Sequence, residues 1–302
     1  MRAAARRERT VVPSVFIAVL VAVVALAGAG LSGDDASARV KKRVDQPTTF
    51  RATSFNILGA SHTAKGGNKP RMASGKVRTG YAARLLDNNA IDVAGLQEVQ
   101  VSQYDELVRL RGSTWDAYPG RALTNWDTNN TLVWRTSVWE AVEERTVAIP
   151  YFHGMKVQMP YVLLRNKSTG QQVWFANFHN PASGRKRGDQ AGWRKLATSI
   201  QVALANQLRA TGYPVVFMGD MNEKGVYFCR LTTQTAKQAG MKSASGGSFD
   251  TTACRTPKDM RIDWIFGSKE LRFSGYKVLR SDLVKRTSDH PMIISDVTVP
   301  AG

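Results

Sequence analysis

Val215-Val216-Phe217-Met218-Gly219-Asp220-Met221-Asn222 is an apolar run that ends in a carboxylate and an amide. The run predicts a buried strand over residues 213–218, which begins near Pro214 and stops at Gly219. Near the C-terminus the chain reads Thr287-Ser288-Asp289-His290-Pro291. Carboxylate, amide and imidazole groups can activate a water, bind a phosphate oxygen and transfer a proton. The two segments together therefore indicate metal-assisted hydrolysis of a phosphoester.

Four further segments place single polar side chains in or directly after apolar runs. A carboxylate inside such a run is costly to bury unless it is paired or hydrogen-bonded, so these positions are informative. The segments are 52–58 with Asn56, 93–99 with Glu98, 175–180 with Asn177 and His179, and 261–266 with Asp263.

Taken in order from Asn56 to His290, these motifs resemble the endonuclease/exonuclease/phosphatase superfamily. That superfamily includes pancreatic-type deoxyribonucleases, abasic-site endonucleases, neutral sphingomyelinases, inositol-phosphate phosphatases and deadenylases. The resemblance implies an α/β (α+β) fold: a four-layer sandwich with two mixed β-sheets packed face to face and helices on the outside. The local pattern of strands and helices alone indicates only α/β or α+β.

The resemblance also implies how the side chains are used. A Mg²⁺ ion, with Mn²⁺ possible in its place, is expected on oxygen ligands. The implied metal ligands are Asn56, Glu98 and Asp289, although Asp289 could instead orient a histidine. The implied catalytic residues are His179, Asp220, Asn222, Asp263 and His290. Which histidine is the base and which is the acid stays open.

Other positions around the motifs carry weaker signals. Asn177 is expected to contact substrate. Nuclease branches of the superfamily often have a basic residue two positions after the metal glutamate, but here that residue is Gln100. His62 and His153 lie in loop segments and match no motif, although His62 follows the Asn56 strand closely enough to reach the mouth of the site. Residues 151–155 are interpreted as a half-buried turn, with a membrane-contact loop as the alternative.

The charge of the chain points to an anionic partner. The formal net charge is +18, and such an excess favours nucleic acid, acidic headgroups or envelope polymers, although a merely soluble surface is the alternative. Arg185, Lys186 and Arg187 follow His179 after a short loop and are expected to bind substrate at the rim of the site. The expected partner is nucleic acid or another phosphate polyanion, and the protein is expected to be a monomer.

The N-terminus predicts export. A basic head is followed by an uncharged apolar stretch over 11–31 and then by Ala36-Ser37-Ala38, a pattern typical of a signal peptide. The stretch is also long enough to span a bilayer, so residues 1–38 are a signal peptide or an N-terminal membrane anchor. Membrane contact is expected only through this segment, if it is uncleaved. Residues 39–49 are expected to be a basic linker and 50–302 the catalytic domain, in a secreted or otherwise extracytoplasmic protein.

The chain has two cysteines, Cys229 and Cys254. An even number in an exported chain favours one disulfide, although two unrelated thiols are the alternative. The superfamily resemblance supports the pairing, because pancreatic-type deoxyribonucleases have a disulfide in the same interval.

Periodicity predicts an alternation of strands and helices along the domain. Strands are expected at 50–58, 91–97, 131–135, 138–146, 159–166, 171–178, 213–218, 262–266, 273–279 and 292–299. Helices are expected at 76–88, 101–111 and 189–209, with Leu196 on the buried face of the last. A tight turn is expected to join the strands at 131–135 and 138–146.

These observations predict an exported, Mg²⁺-dependent phosphodiesterase, with a nuclease acting on DNA or RNA as the leading hypothesis. A sphingomyelinase or phospholipase C-type enzyme, or a phosphomonoester phosphatase, is the alternative within the superfamily. A non-catalytic polyanion-binding protein is the alternative outside it, but such a protein has no need of the complete set of motifs.

Overall fold

The computed structural model describes residues 45–122, 130–249 and 253–301. Within these ranges five α-helices are present: α1 (Gly75–Asn88), α2 (Val101–Arg111), α3 (Ala191–Ala210), α4 (Gly225–Thr235) and α5 (Asp282–Thr287). The strands are β1 (Thr48–Asn56), β2 (Val93–Gln97), β3 (Trp115–Tyr118), β4 (Thr131–Arg135), β5 (Trp139–Pro150), β6 (Lys156–Asn166), β7 (Gln172–His179), β8 (Val215–Asp220), β9 (Lys242–Ser243), β10 (Ser248–Phe249), β11 (Cys254–Arg255), β12 (Asp263–Gly267), β13 (Arg272–Leu279) and β14 (Met292–Val299).

Twelve of these strands form two mixed sheets of six strands each, in the orders β13-β14-β1-β2-β4-β3 and β5-β6-β7-β8-β12-β9, and β10 pairs with β11 in a separate two-stranded sheet. Three apolar clusters separate four layers. One cluster packs the first sheet against α1 and α2, as with Phe55 and Leu86. A second fills the space between the sheets, as with Trp139 and Phe175. The third packs the other sheet against α3 and α4. The predicted four-layer α/β sandwich is therefore confirmed.

Strand alternation explains why polar groups collect at one edge of the inter-sheet space. Residues two apart on a strand share a face. Phe50 and Ala52 of β1 pack between the sheets, and Asn56 ends the same row. Met218 of β8 likewise packs between the sheets, and Asp220 ends its row. Rows in the two strands beside β8 also stop at this edge, because His179 of β7 and Asp263 of β12 are both in register with Asp220.

Two sequence-based expectations differ from the structure, and three elements were not expected. The strands β4 and β5 follow one another closely but belong to different sheets, so residues 136–138 cross between layers rather than closing a hairpin. Leu196 is 47% exposed, whereas Ala197, Leu204 and Ala205 lie on the buried face of α3. The elements β3, α4 and α5 were not predicted from the sequence.

The predicted N-terminal segment, 1–38, and most of the predicted linker lie outside the described residues, and β1 begins at Thr48. In the part of the chain that the structure describes, no helix has the length and apolarity needed to cross a membrane. The predicted disulfide is confirmed: Cys229 and Cys254 are joined, with their Cα atoms 5.6 Å apart.

Candidate active site

One carboxylate oxygen, Asp220 Oδ2, lies at the centre of the site. Nε2 of His179 and Nε2 of His290 each lie 3.6 Å from this oxygen, and Nδ2 of Asn56 donates to it at 3.3 Å. Burial, and then the neighbouring charge of Asp263, raise the pKa of Asp220. A carboxylate with a raised pKa is a better proton acceptor, which suits a group that activates water.

The His290 imidazole is paired with a buried carboxylate on its far side. Its Nδ1 lies 3.0 Å from Asp263 Oδ1 and 3.2 Å from Asp263 Oδ2. Burial alone would lower the pKa of His290, but the charge and hydrogen bond of Asp263 outweigh burial and raise it to about 10. His290 is therefore an imidazolium at neutral pH, with Nε2–H directed towards the centre of the site.

The other site histidine, His179, is buried and has a phenol as its partner. The hydroxyl of Tyr151 lies 3.3 Å from His179 Nδ1. Burial, and then the charge of Glu98, raise the pKa of Tyr151 well above its ordinary value, so the hydroxyl keeps its proton. Because His179 Nε2 faces the Asp220 carboxylate, that nitrogen carries a hydrogen, and Nδ1 is paired with the Tyr151 hydroxyl.

A second acidic group, Glu98, stands beside Asp220 and is connected to it through Asn56. The amide nitrogen of Asn56 donates to Glu98 Oε1 at 2.9 Å, and the backbone N–H of Gly59 donates to Glu98 Oε2 at 2.8 Å. Burial opposes ionisation, but a hydrogen bond from His62 and the charge of His179 hold the pKa of Glu98 below its ordinary range. Glu98 is therefore an ionised carboxylate.

The backbone is strained at three positions around these groups. Leu58, Glu98 and Asn222 have φ values of 58°, 63° and 50°. Side chains other than glycine adopt this left-handed region at a cost of about 1–3 kcal/mol, and such positions cluster at functional sites. The surrounding hydrogen bonds must hold them in place.

A buried arginine of α1 supplies many of those bonds. Arg78 is 0% exposed, and its guanidinium donates to the carbonyls of Ile57, Gly59 and Thr287 at 2.6, 3.1 and 3.1 Å. It also donates to the carbonyls of Leu58 and Ala73. Burial lowers the pKa of Arg78 to about 10, so the group is still charged at neutral pH. Arg78 therefore joins the loop after Asn56 to the loop that carries His290.

Asn177, which was expected to contact substrate, is buried in this structure. Its Nδ2 donates to the carbonyls of Leu96 and Thr131 at 2.8 and 3.1 Å, and its Oδ1 accepts from Gln97. A Cβ at Gly95 would lie 2.8 Å from Asn177 Oδ1, so glycine makes room for this amide. The alternation of β7 puts Asn177 between the sheets, where it joins them.

Two other predicted residues lie at the site with partners of their own. The backbone N–H of Asn222 donates to Asp220 Oδ1 at 3.0 Å, and the side-chain amide donates to the carbonyl of Asn180 at 2.8 Å. Asn222 therefore braces the turn after β8, and its contact with phosphate stays a prediction. The Asp289 carboxylate is paired with Lys69 Nζ at 2.9 Å, on the solvent side of the site.

The predicted basic triplet, residues 185–187, lies on the loop that leaves His179 at the end of β7. Arg185 and Lys186 are exposed. The guanidinium of Arg187 stacks over the ring of Phe152 with its carbon 3.5 Å from the ring centroid. Phe152 in turn packs against Tyr151, the partner of His179. This chain of contacts places Arg187 beside the site.

The donor set suits a hard divalent cation. In the described residues, candidate ligand atoms of Asp220, Asp263 and His290 lie within 4.8 Å of one another, although His290 would have to release a proton to bind a metal, and Glu98 adds an ionised carboxylate next to them. Both cysteines are consumed by the disulfide, so the donors at the site are carboxylates, amides and imidazoles. Such donors fit Mg²⁺ or Mn²⁺ better than a thiolate-seeking metal.

Comparison with known proteins agrees with this arrangement. The model of the Endonuclease/Exonuclease/phosphatase family matches residues 53–290. The chain belongs to this family. It is accordingly an enzyme of a family of phosphoric-ester hydrolases, and divalent-metal dependence is general in that family. No significant match was found among curated proteins.

Solved structures of this family share the fold at low sequence identity. A family protein from Bacteroides thetaiotaomicron has a TM-score of 0.65 at 17% identity, covering 85% of this chain and 100% of its own. A mannosyl-6-phosphatase from the same organism has a TM-score of 0.63 at 18% identity, covering 82% of this chain and 99% of its own. The human Nocturnin catalytic domain with bound sulfate has a TM-score of 0.62 at 17% identity, covering 82% and 93%.

Sequence reasoning missed two residues that the structure brings to this family's motifs: Tyr151 was assigned to a turn, and Arg78 to an amphipathic helix. His62 was given no role, although its short spacing from Asn56 indicated that it could reach the mouth of the site. In the structure its Nε2 lies 3.2 Å from Glu98 Oε2.

Proposed function

We propose that this protein is an exported, Mg²⁺-dependent phosphodiesterase that hydrolyses nucleic acid. The family supports a phosphoric-ester hydrolase. The observation that carries the choice of a polynucleotide is the concentration of basic residues around the ionised carboxylates and imidazoles of the site.

Three segments adjoin strand ends at the site edge: residues 57–74 follow β1, 180–190 follow β7, and 253–262 precede β12. Between them they contain nine basic residues and two acidic ones, Asp189 and Asp259. A chain of phosphates lying across the site would meet these loops on either side of the bond that is cut. Basic side chains there would bind phosphates and release counterions, which is the usual source of affinity for nucleic acid. The basic residues are Lys65, Lys69, Arg71, Arg185, Lys186, Arg187, Arg255, Lys258 and Arg261.

In the proposed mechanism, Asp220 orients the attacking water and accepts its proton through Oδ2. The imidazolium of His290, held by Asp263, donates through Nε2–H to a phosphate oxygen. His179 donates through its own Nε2–H, because Tyr151 occupies its other nitrogen. These donors would stabilise the negative charge that grows on the phosphate in the transition state.

Glu98 would hold the cation, with Asn56 fixing the carboxylate. A bound Mg²⁺ would polarise a phosphate oxygen and neutralise charge as the leaving oxygen departs. Glu98 fits this role because it is ionised and its second oxygen faces the loop at the mouth of the site.

A substrate panel tests the proposal: plasmid DNA, RNA, bis(p-nitrophenyl) phosphate, p-nitrophenyl phosphate and sphingomyelin vesicles, each with Mg²⁺ and with excess EDTA. We expect the long polynucleotides to be cut at the highest kcat/KM and EDTA to stop cleavage. A monoester or sphingomyelin cleaved better than DNA and RNA would refute the nuclease. Full activity in excess chelator would refute the metal requirement.

A charge-matched pair of variants tests the role of the rim. Replacing the basic triplet by alanine should raise KM for DNA and flatten the salt dependence of binding by up to about three units, with the small diester cleaved nearly as before. The control removes the same charge at the opposite end of the strands, through Lys167→Ala, Lys269→Ala and Arg272→Ala. Equal effects of the two triple variants would contradict a specific substrate path.

A further inference from the structure

His62 lies against Glu98, the carboxylate proposed to hold the cation. Its Nδ1 is 2.7 Å from the amide oxygen of Asn68. An amide oxygen only accepts, so Nδ1 carries a hydrogen, and Nε2 is the nitrogen that faces Glu98 Oε2, at 3.2 Å. In the metal-free protein a hydrogen lies between Nε2 and Oε2, as in the hydrogen bond described above. A cation bound to both atoms would displace that proton, because metal binding to an imidazole nitrogen releases a proton.

The position of His62 is fixed by the loop that carries it. Gly67 allows the loop to fold back on His62, since a Cβ there would lie 2.2 Å from the His62 carbonyl, and the N–H of Lys69 donates to that same carbonyl at 2.8 Å. The turn before His62 is held by three successive backbone N–H groups: Gly59 donates to Glu98, Ala60 to Gln103 and Ser61 to Gln100.

The spacing of His62 Nε2 and Glu98 Oε2 matches that of neighbouring ligands of one octahedral ion. With metal–ligand bonds of about 2.1 Å, adjacent ligand atoms lie about 3.0 Å apart, close to the 3.2 Å between His62 Nε2 and Glu98 Oε2. Metal-binding histidines typically donate their other N–H to a carbonyl or carboxylate, which fixes the tautomer. Asn68 supplies that partner.

We propose that His62 is a direct ligand of the cation held by Glu98, and that Asn68 positions it. This inference rests on the proposed function only in requiring that a divalent cation binds. An imidazole ligand shifts preference from Mg²⁺ towards Mn²⁺ and later transition metals, because nitrogen is a softer donor than oxygen. The site should therefore prefer Mn²⁺ over Mg²⁺ more strongly than the same site without His62.

Electron paramagnetic resonance with Mn²⁺ tests this without measuring activity. Titration gives the Kd for Mn²⁺, and competition with Mg²⁺ gives the selectivity. In a pulsed measurement, the nitrogen modulation of the electron spin echo detects an imidazole nitrogen bound to the ion. His62→Gln should weaken Mn²⁺ binding about tenfold or more and lower the Mn²⁺/Mg²⁺ selectivity. It should also remove the nitrogen modulation, whereas His290→Gln should keep it.

Two more variants guard against a simple folding effect. Asn68→Leu retains the imidazole but removes its partner, and should weaken Mn²⁺ binding about tenfold, the lower end for loss of such partners. His153→Ala, on an exposed turn, should bind Mn²⁺ like the wild type. Circular dichroism confirms that each variant is folded before binding is compared.

The outcomes separate the inference from the proposed function. If the wild type binds Mn²⁺ and His62→Gln keeps the affinity and the nitrogen modulation, the ligand assignment is wrong and the metal-dependent hydrolase stands. Modulation lost in His290→Gln but kept in His62→Gln would place the ion at Asp220 and Asp263 and also overturn the assignment. A wild type that binds no Mn²⁺ would overturn both proposals.

Discussion

Replacement of Arg78 by methionine should destabilise the fold more than any exposed substitution in the same helix. Methionine is long and apolar but removes every donor, including the hydrogen bonds to five carbonyls of residues 57, 58, 59, 73 and 287. At about 1 kcal/mol for each bond the loss is about 5 kcal/mol. The variant no longer has to bury a charged guanidinium, and removal of that desolvation cost offsets part of the loss. We expect a net loss of about 3–4 kcal/mol in the free energy of unfolding.

Urea unfolding followed by circular dichroism measures this change, provided that the m-value stays constant. Arg84→Met is the matched control, because Arg84 lies in α1 but is exposed, and it should change stability by less than about 0.5 kcal/mol. The folded fraction of Arg78→Met should also lose turnover, since Arg78 joins the loop after Asn56 to the loop of His290. An Arg78→Met protein within about 1 kcal/mol of the wild type would refute the reasoning.

Two further predictions concern charge and covalent structure. In metal-free protein, NMR should place the His290 titration well above its ordinary value of about 6.5, and Asp263→Asn should bring it down. Because its pKa is raised, His290 stabilises the fold fully below about pH 6.5, and this contribution is lost as pH rises towards about 10. Urea unfolding measured across this pH range should therefore show the free energy of unfolding of the wild type falling. Asp263→Asn should lack this fall. A wild-type midpoint near 6.5 would contradict the ion pair. Reduction of the disulfide should lower the melting temperature, because a loop of this length contributes about 3 kcal/mol, and an unchanged temperature would argue against that contribution.

The catalytic motifs could be predicted from sequence because they sit at the ends of apolar strands. Asp220 ends one short buried run and Asp263 begins another, and such runs carry a strong local signal. Their pairing across β8 and β12 then follows from the fold, which the order of the motifs identified. The four-layer architecture was predictable for the same reason.

The missed residues act across long sequence separations. Arg78 contacts the carbonyl of Thr287 from a helix whose sequence shows only an amphipathic pattern. Tyr151 reaches His179 from the end of a hairpin that could equally be a surface turn. Periodicity reports which face of an element is buried, but it does not report which distant polar atom a buried side chain will meet.

The burial of Asn177 has a local cause. Asn177 and His179 share one face of β7, so a motif that contains both suggests that both reach the site. His179 is the last residue of the strand, where the inter-sheet space opens, whereas Asn177 lies one step inside it. A shift of two residues along the strand therefore separates Asn177, which joins the two sheets, from His179, which faces the site.

The direction of β1 determines how the enzyme would be presented on a surface. Thr48 pairs with Val299 at the start of the strand, and Asn56 stands at its other end, about 26 Å away at 3.3 Å per residue. The polypeptide thus enters and leaves the domain at the pole opposite the carboxylates. A tether attached before β1, whether to a lipid bilayer or to an affinity resin, would orient the active site away from the supporting surface. The site would then face soluble polymers rather than the lipid headgroups or the resin.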